Sequence, residues 1–293
     1  MEKKKNIIGY VMLLPFLLHF AVCIVYPYIA TFFYSFTDRD FKSTNYGFIG
    51  IDNYTTIFKD PLFFTTLENT LIWQITIPVG CIILGLGLAL LLNRNIKLKG
   101  VYRVCAYVPV VMDWVAVSVI FAFILDPSVG LINDILIRLG LPAQRLLSDP
   151  TQAMTVMILV VLWKSIGYYA IFYISALQDI NKNILEAADI DGANSWQRFR
   201  KVTLPQMAPI TVVVAIMSWV NSIKLFEPIY VMTSGGPSRA TYTLIYYYHE
   251  ISFGFLKIGK GSAVAVIFTI LVLIIVLVFN KFLNRMSGAE GVN

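Results

Sequence analysis

Charge is what this chain has least of. Asp, Glu, Lys and Arg make up 14% of its 293 residues, against 58% hydrophobic residues. A water-solvated domain of this length carries roughly 25% charged residues, so a chain bathed wholly in water is excluded. Cysteine is scarce too, with only Cys23, Cys81 and Cys105. Each lies within or at the edge of a hydrophobic run and none has a CxxC neighbour. That excludes a disulfide framework and leaves small apolar packing as their role. Histidine is limited to His19 and His249, far apart in sequence, so nothing suggests a metal site. Neither HExxH nor paired aspartates fall on an apolar run, which argues against an intramembrane enzyme and leaves no catalytic residue to assign.

What the chain does have is long apolar runs, and its mean hydropathy is +0.73. A membrane helix needs about 20 apolar residues. Runs of that length extend from about Ile7 to Phe36, Leu67 to Leu92, Tyr102 to Leu125, Ala153 to Leu177, Ala208 to Met232 and Ser262 to Leu283. The expectation is an all-α integral membrane protein with six transmembrane helices and no separate soluble domain. The first run is too long for a signal peptide's core and lacks a small-residue cleavage site, so it is retained. Pro15 and Pro27 are candidate kinks within it. Gly80, Gly85 and Gly87 permit close helix contact in the second.

The formal net charge of +6 needs no nucleic acid to explain it. With Met1-Glu-Lys-Lys-Lys inside, thirteen Lys and Arg fall in inner segments and eight in the longer outer loops, while Lys164 and Lys224 fall within spans. This bias predicts a multi-pass membrane protein with both termini cytoplasmic. The outer loops are 38–66, 126–150 and 233–261, the last with a short surface helix near Tyr242–Ser252. Asn53-Tyr54-Thr55 matches the glycosylation pattern by coincidence.

One polar stretch between two spans organises the rest: Ile184 to Pro209. Ile184, Leu185, Ala187 and Ala188 favour a helix with a small, smooth face. Gly192 can enter the left-handed conformation that stops it. Asn194, three residues before Gln197, predicts a cap for a second helix. Pro205 and Pro209 mark the start of the next span. Two false matches are set aside. Asp189, Asp191, Gly192 and Asn194 suggest part of a calcium loop, but the glycine is two places early and Arg200 stands where the closing glutamate belongs. Gly254 to Gly261 nearly matches a phosphate loop, but the last position is glycine, no buried strand precedes it, and the topology puts it outside the cell.

Glu186-Ala187-Ala188, Asp191-Gly192-Ala193, Phe199, Leu204-Pro205 and Pro209 together resemble the EAA signature of the membrane subunits of bacterial binding-protein-dependent ABC importers. Gly130-Leu131-Ile132-Asn133, Trp163-Lys164, Ala176-Leu177-Gln178 and Thr233-x-Gly235-Gly236-Pro237 are similar, in order, to the carbohydrate branch with its maltose-type and multiple-sugar permeases. The resemblance covers about Leu67 to the C-terminus. It implies a type I importer permease fold and a sugar or oligosaccharide as cargo. It also implies ATPase coupling through Glu186, Ala187, Ala188, Asp191, Gly192 and Ala193. The implied partners are a second similar permease, two ATP-binding subunits that hold ATP and magnesium, and an extracellular sugar-binding protein; this chain itself holds no cofactor. Its organisation reads as a first span with outer loop (1–66), an importer core (67–285) carrying the coupling loop 178–207, and a cytoplasmic tail (286–293).

Ionisable residues inside spans are costly and therefore functional candidates. Asp113 and Lys164 each fall about ten residues into a run, near the midplane at about 1.5 Å per residue, and are expected to approach each other. Ser165, Tyr168, Ser218, Trp219 and Ser222 supply the hydroxyls and aromatic faces that a sugar requires. The same polar groups can also simply bond neighbouring helices. Lys224 and Glu227 are spaced to pair. The competing class is an ion-driven secondary transporter, which expects internal repeats and broken helices. No convincing repeat is visible, and that class leaves the EAA stretch unexplained.

Overall fold

The structure is a computed structural model that describes residues 12–43, 45–94 and 97–286, with side chains through Leu277. The basic start Met1–Lys5, the side chains of Lys281 and Arg285, and the tail beyond Met286 lie outside the described residues. Among the described residues every element is helical, apart from a single bridge between Thr37 and Phe48. The helices are α1 Met12–Tyr34, α2 Asp52–Lys59, α3 Pro61–Asn93, α4 Lys99–Val111, α5 Trp114–Ile124, α6 Leu131–Arg138, α7 Ala153–Asp179, α8 Lys182–Ile190, α9 Ser195–Gln206, α10 Ala208–Ile223, α11 Glu227–Met232, α12 Leu244–His249 and α13 Ile258–Met286.

Four helices are long and apolar enough to cross a membrane: α1, α3, α7 and α13. Two bent pairs bring the number to six if each is one span: α4 with α5, and α9 with α10. The third expected span, Tyr102–Leu125, is therefore corrected. It breaks at Met112–Asp113 and turns by 102°. The reason is local. Met112 is extended, and the Asp113 carboxylate accepts from the Val115 and Ala116 N–H groups, so it caps a new helix. The fifth span, Ala208–Met232, is also corrected, because α10 stops at Ile223 and α11 begins at Glu227. In α1 a wide π turn, Ala21–Val25, lies just before Pro27, whose missing N–H disturbs the helical ladder there.

The chain divides into two compact units. One joins Met1–Phe64 to Tyr247–Val276. Here the Asn53 amide donates to the Ser35 and Thr37 carbonyls at 2.9 and 2.8 Å, and the Tyr54 hydroxyl lies 2.7 Å from the Ser35 hydroxyl. Asn53 is buried, which agrees with discounting it as a glycan acceptor. Gly259 meets the chain around Thr37–Arg39 so closely that a Cβ there collides with the Thr37 carbonyl.

The other unit joins Thr65–Tyr246 to the chain from Leu277 onward. Its core is built from helical stripes: Trp73, Ile77 and Cys81 on α3; Met157, Val161, Tyr169 and Tyr173 on α7; Val214 and Ala215 on α10. On α3 and α7 these positions recur at four residues or a multiple of four and so share a face. On the other side of α3, Ile75, Val79 and Ile83 are exposed and apolar, as a lipid-facing surface requires. Where lipid replaces water, burial of apolar surface supplies little, and close packing must hold the helices. Gly167 provides it: α4 packs against α7 where the Ala106 carbonyl occupies the place of a Cβ.

Candidate functional site

Two features stand out in this second unit: a capped elbow and a polar cavity, joined by α7 and α10. The elbow begins where Ile180 is extended and Asn181 caps α8, accepting from the Asn183 N–H at 2.9 Å. At its end Gly192 takes φ +76°. The Gly192 N–H reaches the Asp189 carbonyl and the Ala193 N–H reaches the Ala188 carbonyl. That bond pair is the Schellman closure, which needs a left-handed residue at Gly192. Asn194 and Gln197 then form a reciprocal capping box, both bonds at 2.9 Å, as their spacing predicts.

Arg198 clamps the corner, with Nη1 2.7 Å from each Asp189 carboxylate oxygen. Sequence reasoning missed this bond, because a nine-residue separation gives no helical signal. A half-exposed pair of this kind contributes at most about 1 kcal/mol, and it links α8 to α9 across the corner. Glu186, Ala187, Asp191 and Gly192 are exposed, while Ala188 and Ala193 are half-buried. Ile190 and Trp196, 86% and 65% exposed, add a large apolar surface to the same elbow.

The cavity, of about 430 Å³, is walled by α3, α4, α5, α7, α10 and the α10–α11 break. Lys164, Ser165, Tyr168, Ser218 and Ser222 all line it, as do Tyr169, Asn221, Lys224 and Glu227. Trp219 and Asp113 do not. Trp219 is buried in packing. The indole on the wall is Trp114, and the Lys164 ammonium sits 4.3 Å from its ring centre. Trp114 was missed because the continuous helix expected over Tyr102–Leu125 hid the turn that presents it.

Lys164 Nζ also lies 3.4 Å from the Val110 carbonyl, so this lysine straddles the break between α4 and α5. Among the described residues it makes no direct ion pair with Asp113. Lys224 and Glu227 do not pair either, which corrects that expectation. Glu227 accepts from the Phe226 N–H at 3.3 Å in the first turn of α11, and Lys224 follows the last turn of α10. Each charge answers the helix end beside it, and this holds them apart.

The hydroxyls differ in what they have left to offer. Ser222 Oγ lies 2.8 Å from both Gln74 Oε1 and the Trp219 carbonyl, and Ser218 Oγ lies 3.1 Å from the Ala215 carbonyl. Both serines already bond within the helices. Asn221 Nδ2 donates to the Tyr169 hydroxyl at 3.2 Å. Among the described residues, the side chains of Ser165 and Tyr168 form no hydrogen bond. Gln74 was missed because one amide in an apolar run is indistinguishable from an interhelical bond.

Of the cysteines, Cys81 is buried and lines the cavity, in keeping with small apolar packing, whereas Cys23 and Cys105 are exposed. Among the described residues no cluster of His, Cys, Asp and Glu can hold a metal ion.

An elbow set between two helices that wall a polar cavity is the architecture of a membrane transport component, and comparison with known proteins agrees. The family described as "Binding-protein-dependent transport system inner membrane component" matches residues 81–287, and the chain belongs to it. Among relatives, it is 34% identical to the sulfoquinovosyl glycerol transport system permease protein SmoG of Agrobacterium fabrum, over 95% of this chain and 91% of that one. It is 30% identical to the arabinooligosaccharides transport system permease protein AraP of Bacillus subtilis, over 98% and 91%. A chain of a crystallised bacterial alginate ABC transporter, in complex with an alginate pentasaccharide-bound periplasmic protein, superposes with a TM-score of 0.85. It is 25% identical and matches over 98% of this chain and 97% of that one.

Proposed function

We propose that this chain is a permease subunit of an ATP-driven importer that passes a sugar or oligosaccharide across the cytoplasmic membrane. The observation that carries this reading is the elbow. α7 and α10 both wall the cavity, and the segment joining them is a rigidly capped corner with Ile190 and Trp196 exposed. A separate ATPase that grips this corner moves the two cavity walls directly. Glu186, Ala187, Ala188, Asp191, Gly192 and Ala193 supply the small, exposed surface it grips. Binding of ATP and magnesium belongs to that partner. The relatives' cargoes include sulfoquinovosyl glycerol, arabinooligosaccharides, lactose and sn-glycerol-3-phosphate, which supports a polyhydroxylated cargo delivered by a separate binding protein. A second permease subunit completes the path, two ATPase subunits drive it, and both termini of this chain lie in the cytoplasm.

Within the cavity, Tyr168 and Ser165 offer unspent hydroxyls, with Lys164 beside them. Ser218 and Ser222 shape the wall, and Trp114 takes over the stacking role assigned to Trp219. Asp113 acts from behind the wall through the α4–α5 break. Purification of the tagged chain from its host, with identification of its companions, tests the assembly. An ATPase and a second permease are expected. A chain that purifies alone and moves solute down an ion gradient refutes the importer and favours the secondary transporter, to which the α4–α5 break also conforms. Tyr168→Ala tests the cavity. It should reduce uptake by roughly tenfold, the scale of about 1.4 kcal/mol, with normal expression.

A further inference from the structure

We infer, resting on the reading of the cavity as part of the cargo path, that the cargo sugar carries an acid group: a carboxylate, sulfonate or phosphate. The wall holds two ammonium groups, Lys164 and Lys224, and one carboxylate, Glu227. Glu227 already accepts the Phe226 N–H at the start of α11. Asp113, the other acid nearby, lies off the wall and spends one carboxylate oxygen on the Val115 and Ala116 N–H groups.

An ammonium has three donors. Lys164 gives one to the Val110 carbonyl and sets its charge over the Trp114 ring. Among the described residues Lys224 makes no hydrogen bond and no ion pair. The buried Lys164 ammonium is expensive to keep within a span; Lys224, exposed just after α10, adds a second positive charge on the wall, and Ser165, Tyr168 and Asn221 already offer what a neutral sugar's hydroxyls require. A sugar oxyanion accepts charge-assisted hydrogen bonds from both lysines. Its ring then packs against the wall that the Lys164–Trp114 pair forms. The cavity of about 430 Å³ lies within the roughly 300–1,000 Å³ usual for small-molecule sites, which suits a small glycoside. A lysine is a point charge without the planar fork of arginine, so the site selects for charge rather than for the shape of one oxyanion.

The test uses the assembled transporter, with its ATPase, second permease and binding protein, in proteoliposomes. Four probes share one sugar: glucose, glucuronate, glucose 6-sulfonate and glucose 6-phosphate, each as its methyl glycoside. Uptake of at least one acidic probe should exceed that of the neutral probe by about tenfold or more, and the best of the three identifies the oxyanion. Direct binding is followed on the binding-protein-free complex by tryptophan fluorescence, which removes the binding protein's own preference. Lys224→Gln should remove most of the acidic probe's advantage, and Lys224→Glu should reverse it. Lys224 is exposed, so both variants should fold; Lys164→Met adds a second arm if it assembles. Equal or better handling of the neutral probe, unchanged by Lys224→Glu, overturns the inference and leaves the sugar importer standing. Failure to bind or move any of the four also overturns the inference, while the importer reading, whose cargo is not confined to glucosides, stands or falls by the companions that co-purify.

Discussion

Gly192 shows how one residue sets the elbow. Its φ of +76° is the left-handed region, and a Cβ added there meets nothing within 4 Å. Any penalty for a larger side chain is therefore conformational, not a clash. A non-glycine residue there costs about 1–2 kcal/mol, and a β-branched one more. Gly192→Val should insert normally yet lose ATPase assembly or transport-coupled ATP hydrolysis, read by complex yield and by cargo-stimulated hydrolysis. Normal values for both would refute the coupling role.

Lys164 and Asp113 form the second single-residue test. Lys164 touches the last turn of α4 and the first residue of α5, and Asp113 caps α5 between them. The two are linked through the same break without a direct ion pair. Asp113→Asn and Lys164→Met should therefore be non-additive in stability and transport, with a coupling of at least about 0.5 kcal/mol. Fully additive effects in the double-mutant cycle would show that the break transmits nothing between them.

At the scale of elements, ends and turns matter more than helical interiors. The loop after α5 closes when the Asp126 carboxylate accepts the Ser128 and Val129 N–H groups at 2.8 and 3.0 Å. The Val129 bond, then the Ser128 bond, holds its pKa below the ordinary 3.8. A depressed carboxylate stabilises the fold above its unfolded pKa and ceases to do so as pH falls through the lowered folded value. Asp149 behaves alike, chiefly through the Thr151 hydroxyl and then its N–H. Protection of the amides in residues 127–139, the exchange rate relative to the intrinsic rate at each pH, should thus be constant from neutrality down to the usual carboxylate range and fall in stronger acid. Asp126→Asn keeps an acceptor but no titration, so its protection should lose that acid-dependent step. If the variant retains the step, another group is responsible.

The same scale explains which elements the sequence made legible. The spans of α3 and α7 are continuous apolar runs, and their length alone identifies them. The breaks in the third and fifth spans leave no such mark, because a residue in an extended conformation among apolar neighbours does not change their hydropathy. Asp113 was visible as an anomaly, but a cap and a buried charge look alike in one dimension.

For the whole molecule, the cavity side of α7 and α10 is the face to probe. Cysteines placed at 165, 168, 218 and 222 in a cysteine-free background should react with small polar thiol reagents and be protected when sugar is trapped. Positions 165 and 168 should respond most, since Ser218 and Ser222 are almost fully buried. Inaccessibility of all four in every conformation would place the path elsewhere.

Apolar run length, the Lys and Arg bias, and the glycine, asparagine and glutamine of the elbow are local signals. From these the sequence by itself determined a helical membrane protein with a capped corner between two spans, because capping and bilayer solvation act over a turn or over one helix. Tertiary structure alone decided that Trp114 rather than Trp219 faces the cavity. It also decided that Gln74 holds Ser222, that Arg198 ties down Asp189, and that Lys164 bridges a break. Each of these depends on how helices rotate about their own axes and where they stop. Packing between helices distant in sequence sets both, through contacts such as the Gly167 approach to the Ala106 carbonyl.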